Sequence, residues 1–217
     1  MIKEFTNEPQ AKAVADSLGL LITKYKGVYI ISNSKEELLA NYNLGYFQKE
    51  GVFYDKEVFK ENWNFIVIRN ASLVDASSIE LPYGLTDCAC MMWNCTSLKV
   101  PPIIPEGVLS CRDMFSGCTS LRTPPLLPKS VKNCVHMLSG CISLKTPPKI
   151  PKGVKICRYM FDGCTSLEIP PEIPGGVNDC SFMFQGCISL KSLPNFPENC
   201  YTIGALENTP FEKELIW

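Results

Sequence analysis

Residues 157–179 have the sequence CRYMFDGCTSLEIPPEIPGGVND, and this pattern recurs with a strict period of 23 residues between Cys88 and Cys187. The shared motif is C-x-x-M-F-x-G-C-x-S-L, followed by a proline pair, Ile-Pro and Val. A fixed period of this length indicates a short coil that stacks on copies of itself, because one coil alone cannot bury its apolar side chains. The sequence therefore predicts a solenoid.

Alignment of the repeats places residues of one kind in one column. We expect each apolar column to lie above its own copies and to form one continuous core. The most regular columns contain the same residue in all five copies: Cys88, Cys111, Cys134, Cys157 and Cys180; Cys95, Cys118, Cys141, Cys164 and Cys187; Met91, Met114, Met137, Met160 and Met183; Leu98, Leu121, Leu144, Leu167 and Leu190. After Cys200 only Ile203 and Leu206 keep phase, and Glu207 stands where phenylalanine is expected, which we interpret as a cap.

The chain is long enough for one solenoid and one small extra domain. It has 217 residues, 46% of them hydrophobic, and a net charge of −1, so composition alone indicates no class of partner. We expect a small α+β domain in 1–64 and the solenoid with its C-terminal cap in 65–217. Strand formers in 20–25 and 28–32 flank Lys26-Gly27 and predict a hairpin. Helices are predicted in 11–18, 34–39 and 55–59, and 65–68 is expected to be the first strand entering the stack.

Local structure within a coil follows from proline and glycine. The proline pairs remove backbone donors, so only short strands are expected, the better ones being Ser-Leu and Val-to-Cys. The segment Met-Phe-x-Gly-Cys is predicted to be a turn of helix that ends at the glycine. These glycines are Gly117, Gly140, Gly163 and Gly186.

Whether the cysteines are thiols or disulfides depends on the compartment of the protein. The sequence shows neither a signal peptide nor a membrane span, so we expect a cytoplasmic protein with reduced, structural thiols. Disulfides between neighbouring coils are compatible with strand spacing, and the compartment argues against them. Zinc binding is not expected, because cysteines within a coil are seven residues apart and His136 is the only histidine. Cys90 and Cys200 lie outside the columns and are expected to be exposed and reactive.

The recurring segments MFSGCTSLRTPPLLP and MFDGCTSLEIPPEIP resemble the BspA-like leucine-rich repeats of bacterial and treponemal surface antigens. The resemblance covers roughly residues 66–206. It implies a leucine-rich-repeat solenoid, and together with the N-terminal domain expected above the fold class is α+β: about five 23-residue coils plus caps, preceded by that domain. It also implies binding to macromolecules, often in adhesion.

Recognition is expected where the repeats differ from one another, and charge is the first such difference. Between Met114 and Phe161 the chain carries eight basic residues and no acidic one. These are Arg122, Lys129, Lys132, Lys145, Lys149, Lys152, Lys155 and Arg158. Like charges one coil apart repel, which favours docking of an anionic surface. The alternative is a solvated face whose lysines keep the stack soluble.

The second difference is the column directly before methionine, which contains Asp113, His136, Tyr159 and Phe182. Its alternation with buried neighbours predicts that it points outward as an aromatic stripe beside Arg158, and aromatic side chains are common interface anchors. Partial burial under a neighbouring segment is the alternative.

The sequence predicts a non-enzymatic, intracellular protein-binding module, without catalytic residues, cofactor or metal. One histidine and no phosphate-binding loop give little support to catalysis, although His136 lies close to Cys134. A short binder of this kind could be an inhibitor of a host protein encoded by a mobile element. Two alternatives stay open: contact with nucleic acid through the basic repeats, whose affinity would fall steeply with salt, and a surface adhesin or virion component.

Overall fold

The computed structural model describes residues 21–25, 28–32, 66–69, 73–79, 81 and 85–214. Contacts within the chain divide it into two compact units, Met1–Asn70 and Ala71–Trp217. The second unit contains all the cysteines of the repeat columns. None of the described residues belongs to a helix long and apolar enough to cross a membrane.

The described part of the first unit is a β-sheet. Strand β1 (Leu21–Tyr25) pairs antiparallel with β2 (Val28–Ser32), as the strand formers around Lys26-Gly27 predict, so the predicted hairpin is confirmed. Strand β3 (Ile66–Arg69) pairs in parallel with β2. The expectation that this segment enters the stack is therefore wrong, because its ladder is formed with β2 in the first unit. The predicted helices in 11–18, 34–39 and 55–59 lie outside the described residues.

Successive coils of the second unit are joined by parallel β-bridges in the Val-to-Cys segment. Each bridge is one residue long. The prediction of short strands is confirmed for this segment. The bridged column consists of Asp87, Ser110, Asn133, Ile156, Asp179 and Tyr201.

The segment from the first cysteine of a coil to its glycine is a run of overlapping turns, and the prediction of a helical turn is wrong. The Tyr159 N–H donates to the Ser181 carbonyl of the next coil at 3.0 Å, whereas the Met160 N–H donates to Cys157 in its own coil at 3.0 Å. Tyr159 and Gly163 have left-handed φ values of 55° and 68°. This conformation diverts every second N–H from the i−4 carbonyl that an α-helix requires.

The repeat columns form the core of the second unit. The rings of Phe161 and Phe184 in neighbouring coils stack with centroids 5.6 Å apart. The predicted vertical register of identical residues is therefore confirmed. In one coil the residues with 0% exposure are Cys157, Met160, Phe161, Cys164 and Leu167.

The second cysteine of a coil also forms a hydrogen bond between coils. The Cys164 thiol donates to the Leu138 carbonyl of the preceding coil at 3.1 Å, and Cys187 donates to Phe161 at 3.1 Å. Burial raises the pKa of Cys187 to about 12, so its S–H is retained at neutral pH. Cysteine thus supplies a small apolar side chain and a donor together. The same contact is formed by Cys118 and Cys141.

The last coil is one residue shorter than the others. The Tyr201 N–H donates to the Asn178 carbonyl at 3.0 Å, and the Tyr201 carbonyl accepts from the Cys180 N–H at 2.7 Å. In the preceding coil one residue donates to the coil before it and the next residue accepts from that coil. Two consecutive residues there form the two bonds that Tyr201 forms alone. The phase shifts by one residue, so buried Leu206 occupies the phenylalanine column. The expectation that Glu207 stands there is wrong, because a deletion cannot be seen from the period alone.

Replacement of Gly163 by alanine is expected to lower the free energy of unfolding by about 1–2 kcal/mol, because a left-handed φ disfavours a Cβ. Space is not the cause, since the nearest atom to that Cβ would be the Gly140 Cα at 3.8 Å. Gly175 is the matched control, with no atom within 4 Å of its Cβ position and no left-handed φ. Gly175→Ala is expected to be neutral or to stabilise by up to about 1 kcal/mol. Urea unfolding measures both changes, and equal losses would contradict the explanation.

Candidate functional site

Three exposed columns, three residues apart, form one face of each coil. In one coil these positions hold Lys149, Lys152 and Lys155, with buried Ile150 and Val154 between them. The preceding coil places lysine in two of the same columns. We define the lysine face by its five exposed residues: Lys129, Lys132, Lys149, Lys152 and Lys155.

Neighbouring coils bring these lysines close together. The Lys155 N–H donates to the Lys132 carbonyl at 2.9 Å, which puts the two residues on adjacent rungs about 4.8 Å apart. A Cβ at Gly153 would lie 2.6 Å from the Lys132 Nζ, so glycine leaves room for that ammonium group. Gly176 lies in the same way beside the Lys155 Nζ, at 3.4 Å. The turn glycines therefore let each lysine lie over the following coil.

Few acidic residues of the described chain lie near the lysine face. Within the described part of the chain none of its five lysines forms an ion pair. Glu172 shares a groove of about 760 Å³ with Lys149 and Lys152. The face is exposed and carries a surplus of positive charge, which suits it to an anionic surface.

Two predicted basic residues belong to a different surface. Arg122 and Lys145 line a cavity of about 530 Å³ with Ser143 and Ser166, on the other side of the proline pairs in the chain. Glu168 is the next residue in the column of Lys145. Its carboxylate lies 4.0 Å from the Lys145 Nζ and also pairs with the Lys191 Nζ. This column is therefore partly neutralised, and its cavity is lined by other residues than the groove of Lys149 and Lys152.

The aromatic column is a stack of half-buried rings. The rings of His136 and Tyr159 are 4.5 Å apart at 7°, and those of Tyr159 and Phe182 are 4.7 Å apart at 6°. The Arg158 guanidinium lies 5.3 Å from the Tyr159 centroid. Asp113 in the same column is buried, with 7% exposure. His136, Tyr159 and Phe182 are half-buried, so the stripe is less exposed than expected, because the stacked rings cover each other's faces.

The two end positions of this column hold residues without a ring, so the ring stack does not extend to them. Gly204 is the equivalent residue of the last coil, and a Cβ there would lie 2.3 Å from the Phe182 Cε1. Cys90 stands at the other end and is buried, so the expectation that it is exposed is wrong. Cys200 is half-buried and burial raises the pKa of its thiol, which opposes the expected reactivity.

Burial shifts the pKa values of His136 and of titratable groups near it. Burial lowers the pKa of His136 and raises the pKa of Asp113, whose carboxylate lies 3.2 Å from the Arg112 Nε. Ser139 donates to Asp162 at 3.1 Å. Burial also raises the pKa of Cys134 to about 12, so this neighbour of His136 is a protonated thiol at neutral pH and not a thiolate nucleophile.

An apolar pair beside the lysine face was missed from the sequence. Ile103 is 71% exposed and Leu126 is 80% exposed, although both are large aliphatic residues. They occupy the same column as Lys149 and Glu172 in later coils. That alternation of apolar and charged residues is the signal that could have revealed them, because a core column stays apolar throughout.

The repeats match a known family. The profile of the BspA type leucine rich repeat region matches residues 70–168 and 103–212, with six copies. These matches span more than half of the chain, which therefore belongs to the BspA-type leucine-rich repeat family. Such repeats are generally protein-binding modules, and proteins built from them are typically non-enzymatic scaffolds.

Two solved structures are similar to this chain. A leucine-rich repeat protein from Bacteroides ovatus is 27% identical with a TM-score of 0.50, over 64% of this chain and 42% of that chain. The chain thus spans less than half of the Bacteroides ovatus protein. A T. pallidum leucine-rich repeat protein is 18% identical with a TM-score of 0.45, over 87% of this chain and 86% of that chain. No curated protein matches.

Substitution of Gly204 by alanine is expected to lower the free energy of unfolding by about 2–4 kcal/mol, through ring displacement and a strained φ. Gly163→Ala is the control that carries the strain without the clash. Adding Phe182→Ala should remove the clash, so a double-mutant cycle is expected to show coupling of at least about 1 kcal/mol. Additive losses in urea unfolding would show that the ring does not lie on Gly204.

Proposed function

We propose that the repeat array is a non-enzymatic protein-binding module whose lysine face docks on an acidic surface of a partner protein. The observation that carries this proposal is the position of five exposed lysines on two adjacent coils without an ion pair in the described part of the chain. Attraction between opposite surfaces mainly raises the rate of association and selects the partner.

The lysine face has neighbours that fit an interface. Arg158 is exposed and lies three residues after Lys155, so it extends the basic surface towards the ring stack. Ile103 and Leu126 add exposed apolar area in the column that leads to Lys149. Binding by such a surface combines charge complementarity with burial of a few apolar side chains. His136, Tyr159 and Phe182 can offer ring edges, since the stack covers the ring faces between them.

Reversal of charge at Lys132 and Lys155 to glutamate is expected to weaken partner binding by at least about tenfold, because two adjacent attractive contacts become repulsive. A matched control reverses Lys99 and Lys213, which are exposed outside the lysine face. The assay is a pull-down from cell lysate at about 50 and 300 mM salt, with and without nuclease. Retention of an acidic protein by the control, despite nuclease, and its loss from the variant support the proposal.

Two results would contradict this function. Recovery that disappears with nuclease would assign the surface to nucleic acid, for which the same lysines are the motivating feature. Equal losses in the variant and in the control would show a general effect of net charge without a defined surface.

We also propose a reducing, cytoplasmic setting, supported by the thiol hydrogen bonds between coils. Oxidation of Cys141 or Cys164 would remove an S–H that donates to a buried carbonyl. Protein isolated from its native source and alkylated in denaturant is expected to be modified at its cysteines without prior reduction. Modification only after reduction would favour the extracellular adhesin or virion alternative. The inhibitor hypothesis and its mobile-element origin stay predictions from the sequence.

A further inference from the structure

The cavity that Arg122 and Lys145 line has walls made of hydrogen-bond donors. Its volume is about 530 Å³, and its other lining residues are Ser143 and Ser166. Three successive coils contribute, because the serine column lies two residues before the basic column. All four side chains can donate hydrogen bonds, and no carboxylate of the described chain lines the cavity.

The donors around this cavity are not used within the protein. Ser139, outside the cavity, donates to the Asp162 carboxylate at 3.1 Å, whereas the hydroxyls of Ser143 and Ser166 form no hydrogen bond to a described residue. Within the same part of the chain the Arg122 guanidinium forms no ion pair. These groups are therefore available to a ligand.

The nearest carboxylate leaves Lys145 available as well. Glu168 accepts a hydrogen bond from the Lys191 Nζ and lies 4.0 Å from the Lys145 Nζ. That second distance exceeds the roughly 2.7–3.2 Å of a hydrogen bond to nitrogen. Arg122, Lys145 and Lys191 together with Glu168 leave a surplus of two positive charges, which matches a dianion.

We propose that this cavity is a binding site for a phosphate monoester. Such a group carries a charge of about −1.5 to −2 at neutral pH and three strong acceptor oxygens. A guanidinium group can bind it through two parallel hydrogen bonds, and the Lys145 ammonium group adds a further donor. Ser143 and Ser166 are equivalent residues of neighbouring coils, about 4.8 Å apart. Two hydrogen bonds of about 2.8 Å that converge on one oxygen span this distance.

Other anions fit the cavity less well. A carboxylate and a phosphate diester each carry one negative charge and have two free oxygens, so they would leave donors of the cavity unused. The cavity lies within the range of about 300–1,000 Å³ that is usual for small ligands. It therefore has room for the group that carries the phosphate, which can be a phosphorylated side chain of a protein or a small phosphorylated molecule.

The test uses the full chain labelled with nitrogen-15 and four probes: blocked phosphoserine, blocked serine, inorganic phosphate and dimethyl phosphate. Phosphoserine is expected to shift the amide signals of Ser143 and Ser166 in a saturable way, and blocked serine is expected to cause no shift. Dimethyl phosphate should bind at least about tenfold more weakly, because it lacks the second charge. Tighter binding of inorganic phosphate than of phosphoserine would identify the free ion as the ligand of the same site.

Substitution of the serines tests their hydroxyls. Ser143→Ala with Ser166→Ala is expected to weaken phosphoserine by about tenfold, through the loss of two hydrogen bonds. Ser97→Ala with Ser189→Ala is the matched control, because these half-buried serines belong to the same column and do not line the cavity. The control is expected to bind like the unmodified chain.

Substitution of charged residues tests the electrostatic part. Arg122→Gln with Lys145→Gln is expected to weaken phosphoserine by at least about tenfold. The same change at Lys132 and Lys155 removes equal charge from the lysine face and should leave binding unchanged, so this site can fail or hold independently of the proposed lysine-face function. Glu168→Gln should strengthen binding by about two- to fivefold, since it removes a nearby negative charge.

Four results would overturn the proposal. These are the absence of saturable binding, shifts confined to amides away from Ser143 and Ser166, equal losses in the cavity variants and their controls, and equal binding of dimethyl phosphate. Sulfate that binds as tightly as phosphoserine to every variant would mean an adventitious ion only.

Discussion

The structure of the repeat array depends on hydrogen bonds that alternate N–H groups donate from one coil to the next. Phe161 donates to the Met183 carbonyl at 2.9 Å, and Gly163 donates to Gln185 at 2.7 Å. These bonds exist only because the residue before methionine and the glycine adopt a left-handed φ, which turns every second amide out of the coil. Each coil thereby satisfies its backbone through its neighbours, and a single coil would expose these groups to water.

The core could be predicted from the sequence because the period is strict. Met160 and Leu167 recur without a slip, and identical side chains in register leave one way to bury them. The backbone between Cys157 and Gly163 could not be predicted, since the acceptors of half its amides belong to the next coil and periodicity does not show them. The shift at Tyr201 was hidden for the same reason: two coils must be compared through their hydrogen bonds before a missing residue is apparent.

The candidate surface was predictable in part. Lysine at every third position, with buried Ile150 and Val154 among them, defines an exposed face, and stacking sets the distance between equivalent lysines of neighbouring coils. The stacking of the aromatic column was not predictable. Alternation indicates that a side chain leaves the core, but it does not indicate in which direction along the stack the side chain then lies. Tyr159 leaves the core and then lies between His136 and Phe182. Likewise, the basic run suggested one surface, whereas Arg122 and Lys145 lie around a different cavity from Lys149 and Lys152.

The direction of the interlocking hydrogen bonds makes the carboxyl end of the array chemically distinct from its middle. Inside the array each row of donors meets the next coil, so on the middle coils only side chains are left to contact another molecule. In the last described coil the N–H groups of Thr202 and Gly204 donate to no acceptor among the described residues. Charge follows the same division, with lysines on the middle coils and Glu198 and Glu212 at the end.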